Sequence, residues 1–340
     1  MDNKHKRIVY FNGEYVPESE AKVSIYDSAL MFGDMVFEMT RSFNGEQWKL
    51  REHLERLYTG IKILRIPLKL SIDEMEAAVY EVIERNKPAF NDNDEHRVLI
   101  DVTRGLLSLY HGIDGVEPGA NVIIADFPLR WTIQGCSKLY KTGVNLMIPS
   151  QRAIPSHLME PKIKNRSRLF YLMANIEVSM FKGENNWALM LDPDGFITEG
   201  TGSNFFMIKD NILYTPEGRN ILRGISMQTV IQDLAPQLGI KVVEKNIEPF
   251  DVYEADEAFM TATPFCLIPA VTLNGLKIGN GKPGPITESL LKRWGEVVDL
   301  DIVKQITDWD KGGGLSDSPS PYKFSTDKNT TLTMDIDEGE

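Results

Sequence analysis

Two stretches near the N-terminus carry apolar residues at helical spacing. Leu54, Leu57, Ile61 and Leu64 recur three or four positions apart and predict a helix over Leu50–Ile66. Ser71 with Glu74 three residues on is a capping box, which predicts a second helix over Ser71–Arg85. Elsewhere in this region the period shortens to that of strands. Arg7–Phe11 and Tyr15–Val16 read as strands joined by the tight turn Asn12-Gly13-Glu14. Arg97–Val102 and Asn121–Ala125 read as two more. The pattern describes a small α+β unit ending near Phe127.

Pro128–Tyr140 reads as a connector, and a second set of elements follows it. These are a strand over Val144–Ile148, a long helix over Ser167–Phe181, and strands around Ala188, Phe205 and Leu213. A helix comes next, with Ser226 as its N-cap and Gly239 as its stop. Short strands are expected at Ile240–Val243 and Ala258–Thr261, and a last helix over Pro285–Val297. From about Lys311 the composition shifts to Gly312-Gly313-Gly314 and then to Ser, Asp, Pro and Thr without apolar periodicity, which predicts a flexible tail. The expected division is a small domain over 1–127, a connector over 128–140, a large domain over 141–310 and a tail over 311–340.

Composition narrows the function. The 340 residues suffice for two domains, and 42% apolar with 25% charged residues is ordinary for a globular protein. A net charge of −12, with no dense basic run beyond Lys4–Arg7, argues against nucleic acid as a main ligand. It leaves room for a local positive pocket. Cys136 and Cys266 are the only cysteines; they provide neither metal-ligand spacing nor a disulfide framework. They are expected as buried reduced thiols in a cytoplasmic protein. No signal peptide is visible, and no apolar run reaches the ~18 residues of a membrane span.

The candidate chemistry lies in Ile197-Thr198-Glu199-Gly200-Thr201-Gly202-Ser203-Asn204-Phe205-Phe206, together with Lys164 35 positions upstream. Glu199 is expected in a turn between the strand-like runs Trp187–Leu191 and Phe205–Ile208. A lysine and a carboxylate on opposite sides of one cavity are what pyridoxal phosphate chemistry needs. The lysine holds the aldehyde and moves protons, and the carboxylate keeps the ring nitrogen protonated.

Six motifs occur in an order that resembles the class IV (fold type IV) pyridoxal phosphate enzymes. They are Asp27-Ser28-Ala29-Leu30-Met31-Phe32-Gly33-Asp34-Met35-Val36-Phe37-Glu38, His53-Leu54-Glu55-Arg56-Leu57, Pro161-Lys162-Ile163-Lys164-Asn165, Ile197-Thr198-Glu199-Gly200, Leu222-Arg223-Gly224-Ile225-Ser226 and Asp256–Thr263. The resemblance covers roughly residues 8 to 300. It implies a two-domain α+β fold, with a small α/β sandwich domain and a larger domain built on a β-barrel-like core. It also implies a homodimer in which partner residues complete the pocket.

Residue by residue, Lys164 matches the family's Schiff-base lysine, with Lys162 its local competitor. Glu199 matches the carboxylate that pairs with the pyridine nitrogen. Arg56 matches the phosphate-binding arginine, whose planar fork suits phosphate. His53 reads as an ordinary helix residue. Ile225 and Ser226 at a helix start match amides that bind phosphate, where free N–H groups and the helix dipole attract anions. Thr263 would add a hydroxyl there, and Leu222 would pack against the ring. Phe32, Phe37, Met39, His111 and Ala262 fall at or near substrate-pocket positions.

The resemblance implies transamination of an amino acid with a 2-oxo acid such as 2-oxoglutarate, closest to the branched-chain type. A D-amino acid or (R)-amine aminotransferase, and a 4-amino-4-deoxychorismate lyase, are the alternatives on the same scaffold. Val102-Thr103-Arg104-Gly105 followed by His111 is similar to the D-amino acid enzymes, although Leu109 stands where their arginine is expected. Arg168 is similar to the lyases, although Met39 replaces their threonine. Against the branched-chain type, Phe32 and Leu169 replace tyrosines, and Pro264 lacks the N–H that can hold a substrate carboxylate. A binding module that keeps only the scaffold is the alternative outside enzymes; the intact Lys164, Glu199 and Arg56 set counts against it.

Overall fold

The computed structural model describes residues 7–112, 118–133 and 135–311. Its first half is a five-stranded antiparallel sheet with two helices on one face. The strands are β1 (Ile8–Phe11), β2 (Glu14–Pro17) and β3 (Met35–Met39), which follows the short helix α1 (Ser28–Phe32). A small hairpin, β4 (Ser42–Phe43) and β5 (Glu46–Gln47), leads into α2 (Leu50–Leu64) and α3 (Ile72–Asn86). Strands β6 (His96–Thr103) and β7 (Asn121–Pro128) complete the sheet in the order β2-β1-β7-β6-β3.

Local chemistry explains much of this half. Asn12 and Gly13 both have positive φ, as a two-residue hairpin with the strands' twist requires, and Phe11 pairs with Glu14 across it. The capping box forms: Ser71 Oγ accepts from the Glu74 amide, and Glu74 accepts from the Ser71 amide. Strand alternation then sorts the side chains. Val36 on β3 and Val98, Ile100 and Val102 on β6 enter a core with Leu54, Leu57 and Ile61 of α2. Phe37, Met39, Arg97 and Asp101 therefore stand on the opposite face.

Residues 128–140, read as a bare connector, hold the short helix α4 (Arg130–Ile133) and the start of α5 (Leu139–Thr142). Leu129, Ile133, Cys136 and Leu139 are buried in the second core. That core surrounds a closed barrel. Its strands are β8 (Val144–Met147), β9 (Asn186–Leu191), β10 (Ile197–Gly200), β11 (Asn204–Lys209), β14 (Glu257–Ala262) and β15 (Cys266–Leu273), paired in the cycle β8-β9-β10-β11-β14-β15-β8. β12 (Ile212–Pro216) and parallel β13 (Lys241–Lys245) extend the sheet from β11, and β16 (Leu276–Lys277) pairs with β15. Helix α6 (Leu169–Ser179) lies against β9.

Three expectations need correction. Glu199 is in a strand, β10, and not in a turn. The helix near Ser226 begins at α7 (Ile225–Gln228) with Gly224 as its N-cap; Ser226 is already inside it and makes no capping bond. That helix continues as a π-helical turn over Thr229–Leu234 and ends in α8 (Ala235–Gln237), with Gly239 at φ +67 just beyond. Past α9 (Pro249–Tyr253) and α10 (Pro285–Val297) the chain forms a further helix, α11 (Ile302–Lys311), where no element was expected. Its Ile302, Ile306 and Trp309 are buried at helical spacing. The tail beyond Lys311 lies outside the described residues. Both cysteines are buried. Among the described residues no helix is long and apolar enough to cross a membrane.

Candidate active site

Two adjoining cavities lie where the cavity-facing side of β3 and β6 meets the rim of the barrel. The inner one, about 430 Å³, is lined by Arg56, Lys164, Glu199, Leu222, Ile225, Ser226, Ala262 and Thr263 among others. The outer one, about 970 Å³, shares Lys164, Arg168, Ala262 and Thr263 and adds Phe37, Met39 and Arg97.

Lys164 is positioned by its own backbone. Its carbonyl accepts from the Phe37 amide at 2.9 Å, and Asn165 forms an isolated antiparallel bridge with Val36, which pins the lysine segment beside β3. The amine reaches the wall common to both cavities, 4.9 Å from the Phe37 ring centre. Burial and the neighbouring Arg168 lower its pKa to about 7. Lys162 points elsewhere: its amine pairs with Glu160 at 2.7 Å.

Glu199 is 5% exposed and receives three hydrogen bonds: Tyr171 Oη at 2.7 Å, Asn204 Nδ2 at 3.0 Å and the Leu222 amide at 3.1 Å. Burial raises its pKa to about 7, against the opposing pull of the Tyr171 bond and the Arg168 charge. Asn204 also donates to the Leu222 carbonyl at 2.8 Å, tying the carboxylate to the turn that enters α7.

Arg56, on α2, is clamped by fully buried Glu38 of β3. Nε to Oε1 is 2.6 Å and Nη2 to Oε2 is 2.8 Å. His53, one turn earlier, contacts the same carboxylate through Nδ1 at 2.7 Å. Burial opposes ionisation of Glu38, but Arg56 and His53 overcome it and hold the carboxyl well below the usual range. Burial pushes His53 the other way, below an ordinary histidine. Nη1 of Arg56 donates to the Arg223 carbonyl at 2.7 Å, which brings the guanidinium against the start of α7. Three of its five N–H donors are thus engaged.

Two sequence candidates stand outside these cavities within this chain. Phe32 ends α1 at 66% exposure, and exposed His111 turns its ring toward the Leu106 carbonyl at 3.3 Å. Arg104, of the motif similar to D-amino acid enzymes, donates to Asp34 at 3.2 Å and to the Leu64 and Arg65 carbonyls at 2.6 and 3.0 Å. Leu169 is 69% exposed. Sequence reasoning missed Glu38, Arg97, Tyr171 and Asn204. For Arg97 a signal existed: it alternates with Val98, Ile100 and Val102 on a strand whose far face is also covered.

The donor set fits pyridoxal phosphate. One cavity joins an amine poised near neutrality, a buried carboxylate that needs a cationic partner, and an arginine beside a helix start. A Cβ on Gly202, between the two cavities, would meet no protein atom within 4 Å and would stand in their open space. A closed barrel with this lysine and carboxylate at its rim defines a fold type IV pyridoxal phosphate enzyme. Residues 35–273 match the amino-transferase class IV family, and the chain belongs to it. The chain is 35% identical over 290 residues to the putative branched-chain-amino-acid aminotransferase of Methanocaldococcus jannaschii, covering 85% of this chain and 96% of that one. It is 32% identical over 286 residues to the D-alanine aminotransferase of Bacillus licheniformis, covering 83% and 94%. The crystal structure of the Escherichia coli branched-chain amino acid aminotransferase superposes with a TM-score of 0.77 at 29% identity, covering 86% and 95%.

Proposed function

We propose that Lys164 is the catalytic lysine of a transamination between an amino acid and a 2-oxo acid. The observation that carries this is its amine, held at a wall shared by the two cavities with a pKa near 7. An ordinary lysine near 10.4 is almost wholly protonated at neutral pH and is neither nucleophile nor base. With its pKa lowered to about 7, Lys164 has the unprotonated amine within reach at neutral pH.

Pyridoxal phosphate, when bound, supplies the electron sink that makes the substrate Cα–H acidic. Everything else falls to the chain. Arg56, the amides of Ile225 and Ser226 and the Thr263 hydroxyl would hold the phosphate. Glu199 would pair with the ring nitrogen and keep it protonated, and Leu222 would pack against the ring. Lys164 would take the proton from the substrate Cα and hand it back during the transfer. Substituting Lys164→Ala is expected to abolish both turnover and the visible absorbance of the bound cofactor. Retention of both in the purified variant sinks the assignment.

The names of the relatives offer branched-chain amino acids, and Phe37, Met39, Trp187 and Phe265 give the outer cavity apolar flanks that suit an aliphatic stem. The D-amino acid reading loses support because Leu109 stands where its arginine is expected and the His111 ring turns to the Leu106 carbonyl.

We further propose a homodimer in the cytoplasm. Leu30, Met31 and Phe32 of α1 and Leu169, Met173 and Met180 at α6 are all exposed. Ser167 Oγ donates to the Phe32 carbonyl at 3.2 Å and joins the two sets into one face. Such an apolar patch suits a second copy, whose cover would bring its Phe32 near the cavities.

A further inference from the structure

The rim shared by the two cavities is a turn held in a strained shape. Thr263, Pro264 and Phe265 join β14 to β15, and Ala262 pairs with Cys266 across them. Thr263 lines both cavities; Pro264 and Phe265 line the outer one. Cys266 holds φ at +60, in the left-handed region that favours glycine. The Leu267 amide bonds back to the Phe265 carbonyl at 2.7 Å, which tightens the chain into a three-residue turn. Such backbone persists only where its surroundings over-determine it.

Three side chains do this, one for each carbonyl. Thr261 Oγ1 donates to the Cys266 carbonyl at 2.6 Å, Tyr140 Oη to the Phe265 carbonyl at 2.8 Å, and Arg41 Nη1 to the Pro264 carbonyl at 3.0 Å. Arg41 comes from the small domain, between β3 and β4, and is 1% exposed. Its Nε donates to the Ser42 carbonyl at 3.1 Å and its Nη2 to Gln305 Oε1 of α11 at 3.3 Å, and the guanidinium lies 3.8 Å from the Phe43 ring centre. Each of these acceptors is uncharged. Unlike Arg97, whose Nε and Nη1 lack hydrogen-bond partners, Arg41 engages all three of its nitrogens inside the protein. It is placed as a tie between elements and not as a ligand. Gln305 fixes the far end of the tie. Its Nε2 donates to buried Glu95 at 3.0 Å while its Oε1 accepts from Arg41, and only this orientation of the amide serves both neighbours. Glu95 also accepts from the Asn44 and Gly45 amides at 2.8 and 3.1 Å, which anchors it in the small domain.

We propose that Arg41 is a positioning residue for the reaction and that Gln305 sets it, so that helix α11 holds the cavity rim. Neither residue lines either cavity. They act through the turn, which aims the Thr263 hydroxyl at the cofactor phosphate and sets Pro264 and Phe265 as substrate wall. This rests on the transamination reading above. Lysine in place of Arg41 would keep the charge but lose the planar fork that spans Ser42, Pro264 and Gln305 at once.

The test follows the visible absorbance of the holoenzyme. Gln305→Leu is expected to raise the dissociation constant of pyridoxal phosphate by about tenfold, and KM by about as much for the best donor among L-leucine, L-glutamate and D-alanine. At saturation kcat should stay within about threefold, because other elements hold Lys164 and Glu199. Arg41→Lys is expected to give the same split, and it decides the matter if Gln305→Leu does not fold. Trp309→Phe loosens the same helix by removing a 3.0 Å bond to the Asn93 carbonyl without touching Arg41. It should lower Tm and leave both constants near wild type. The proposal is overturned if the Gln305 and Arg41 variants bind cofactor and donor as wild type does, or if Trp309→Phe weakens both constants as much. If wild type converts no donor, the transamination reading fails, and the cofactor constants alone decide between these outcomes.

Discussion

At Glu199 two effects compete over one carboxyl. Three hydrogen bonds favour the ionised form, and removal from water disfavours it; burial wins and leaves the pKa near 7. Pairing with a protonated ring nitrogen would restore the missing cation. The same shift sets how the cofactor-free protein responds to pH. The folded pKa lies above the unfolded value near 4.5, so the group's contribution to stability is complete below pH 4.5 and is lost as pH rises through 7. Relative to wild type, cofactor-free Glu199→Gln should therefore gain stability as pH climbs from 4.5 past 7. The expected span is on the order of 3 kcal/mol. Chemical denaturation of both proteins at a series of pH values measures it, and a flat difference refutes the assigned pKa. At this scale Lys164, Glu199 and Arg56 were legible because each sits in a short motif of fixed spacing. Arg97 showed only as a charge within an apolar strand, and Tyr171 and Asn204 did not show at all. What singles them out is a missing partner or a bond to Glu199, and neither is local in the chain.

Elements carry the site through their ends. Helix α7 starts at Gly224, where the chain passes so close to Asn204 that a Cβ would stand 2.1 Å from its Oδ1. Asn204 in turn holds Glu199 and the Leu222 carbonyl. Gly224→Ala should displace this asparagine, lower Tm, and weaken pyridoxal phosphate binding measurably by titration of the cofactor-free protein. Ser71→Ala, which breaks the capping box of α3, should cost about 1 kcal/mol of stability and leave cofactor affinity alone. Equal losses of affinity in both variants would mean that the α7 start has no special role. The capping box was readable because it is a four-residue pattern. The start of α7 was misplaced because Ser226 is the better N-cap by type, and only packing against Asn204 reserves that position for glycine. Strand β15 went unseen for a similar reason. Pro269 sits within it, yet pairing with β8 begins only at Ala270, so the missing N–H is tolerated.

The whole molecule leaves one apolar face without a partner in the single chain. Leu169 and Met180 are 69% and 74% exposed, and Ser167, two residues before Leu169, reaches the Phe32 carbonyl. If a second copy covers this face, Leu169→Asp with Met180→Asp should halve the mass in solution while leaving the far-ultraviolet circular dichroism of the fold intact. Sedimentation at micromolar concentration reads the outcome directly. A wild-type chain that sediments as a single copy would remove the dimer, and with it any place for Phe32 beside the substrate.

The sequence by itself determined the amphipathic helices α2 and α3, the hairpin at Asn12-Gly13, and the lysine, carboxylate and arginine of the proposed cofactor site. Each is written in a few consecutive residues, and short-range sterics or a motif suffices to read it. Tertiary structure alone decided that the barrel closes through β10, that Phe37 and Arg97 share a cavity, and that Lys164 and Glu199 titrate near neutrality. Strand closure, burial and charge are sums over residues far apart in the chain, as when Arg166 answers Asp101 from 65 positions away. No local pattern records such sums, and they come into being only when the β3–β6 face meets the barrel.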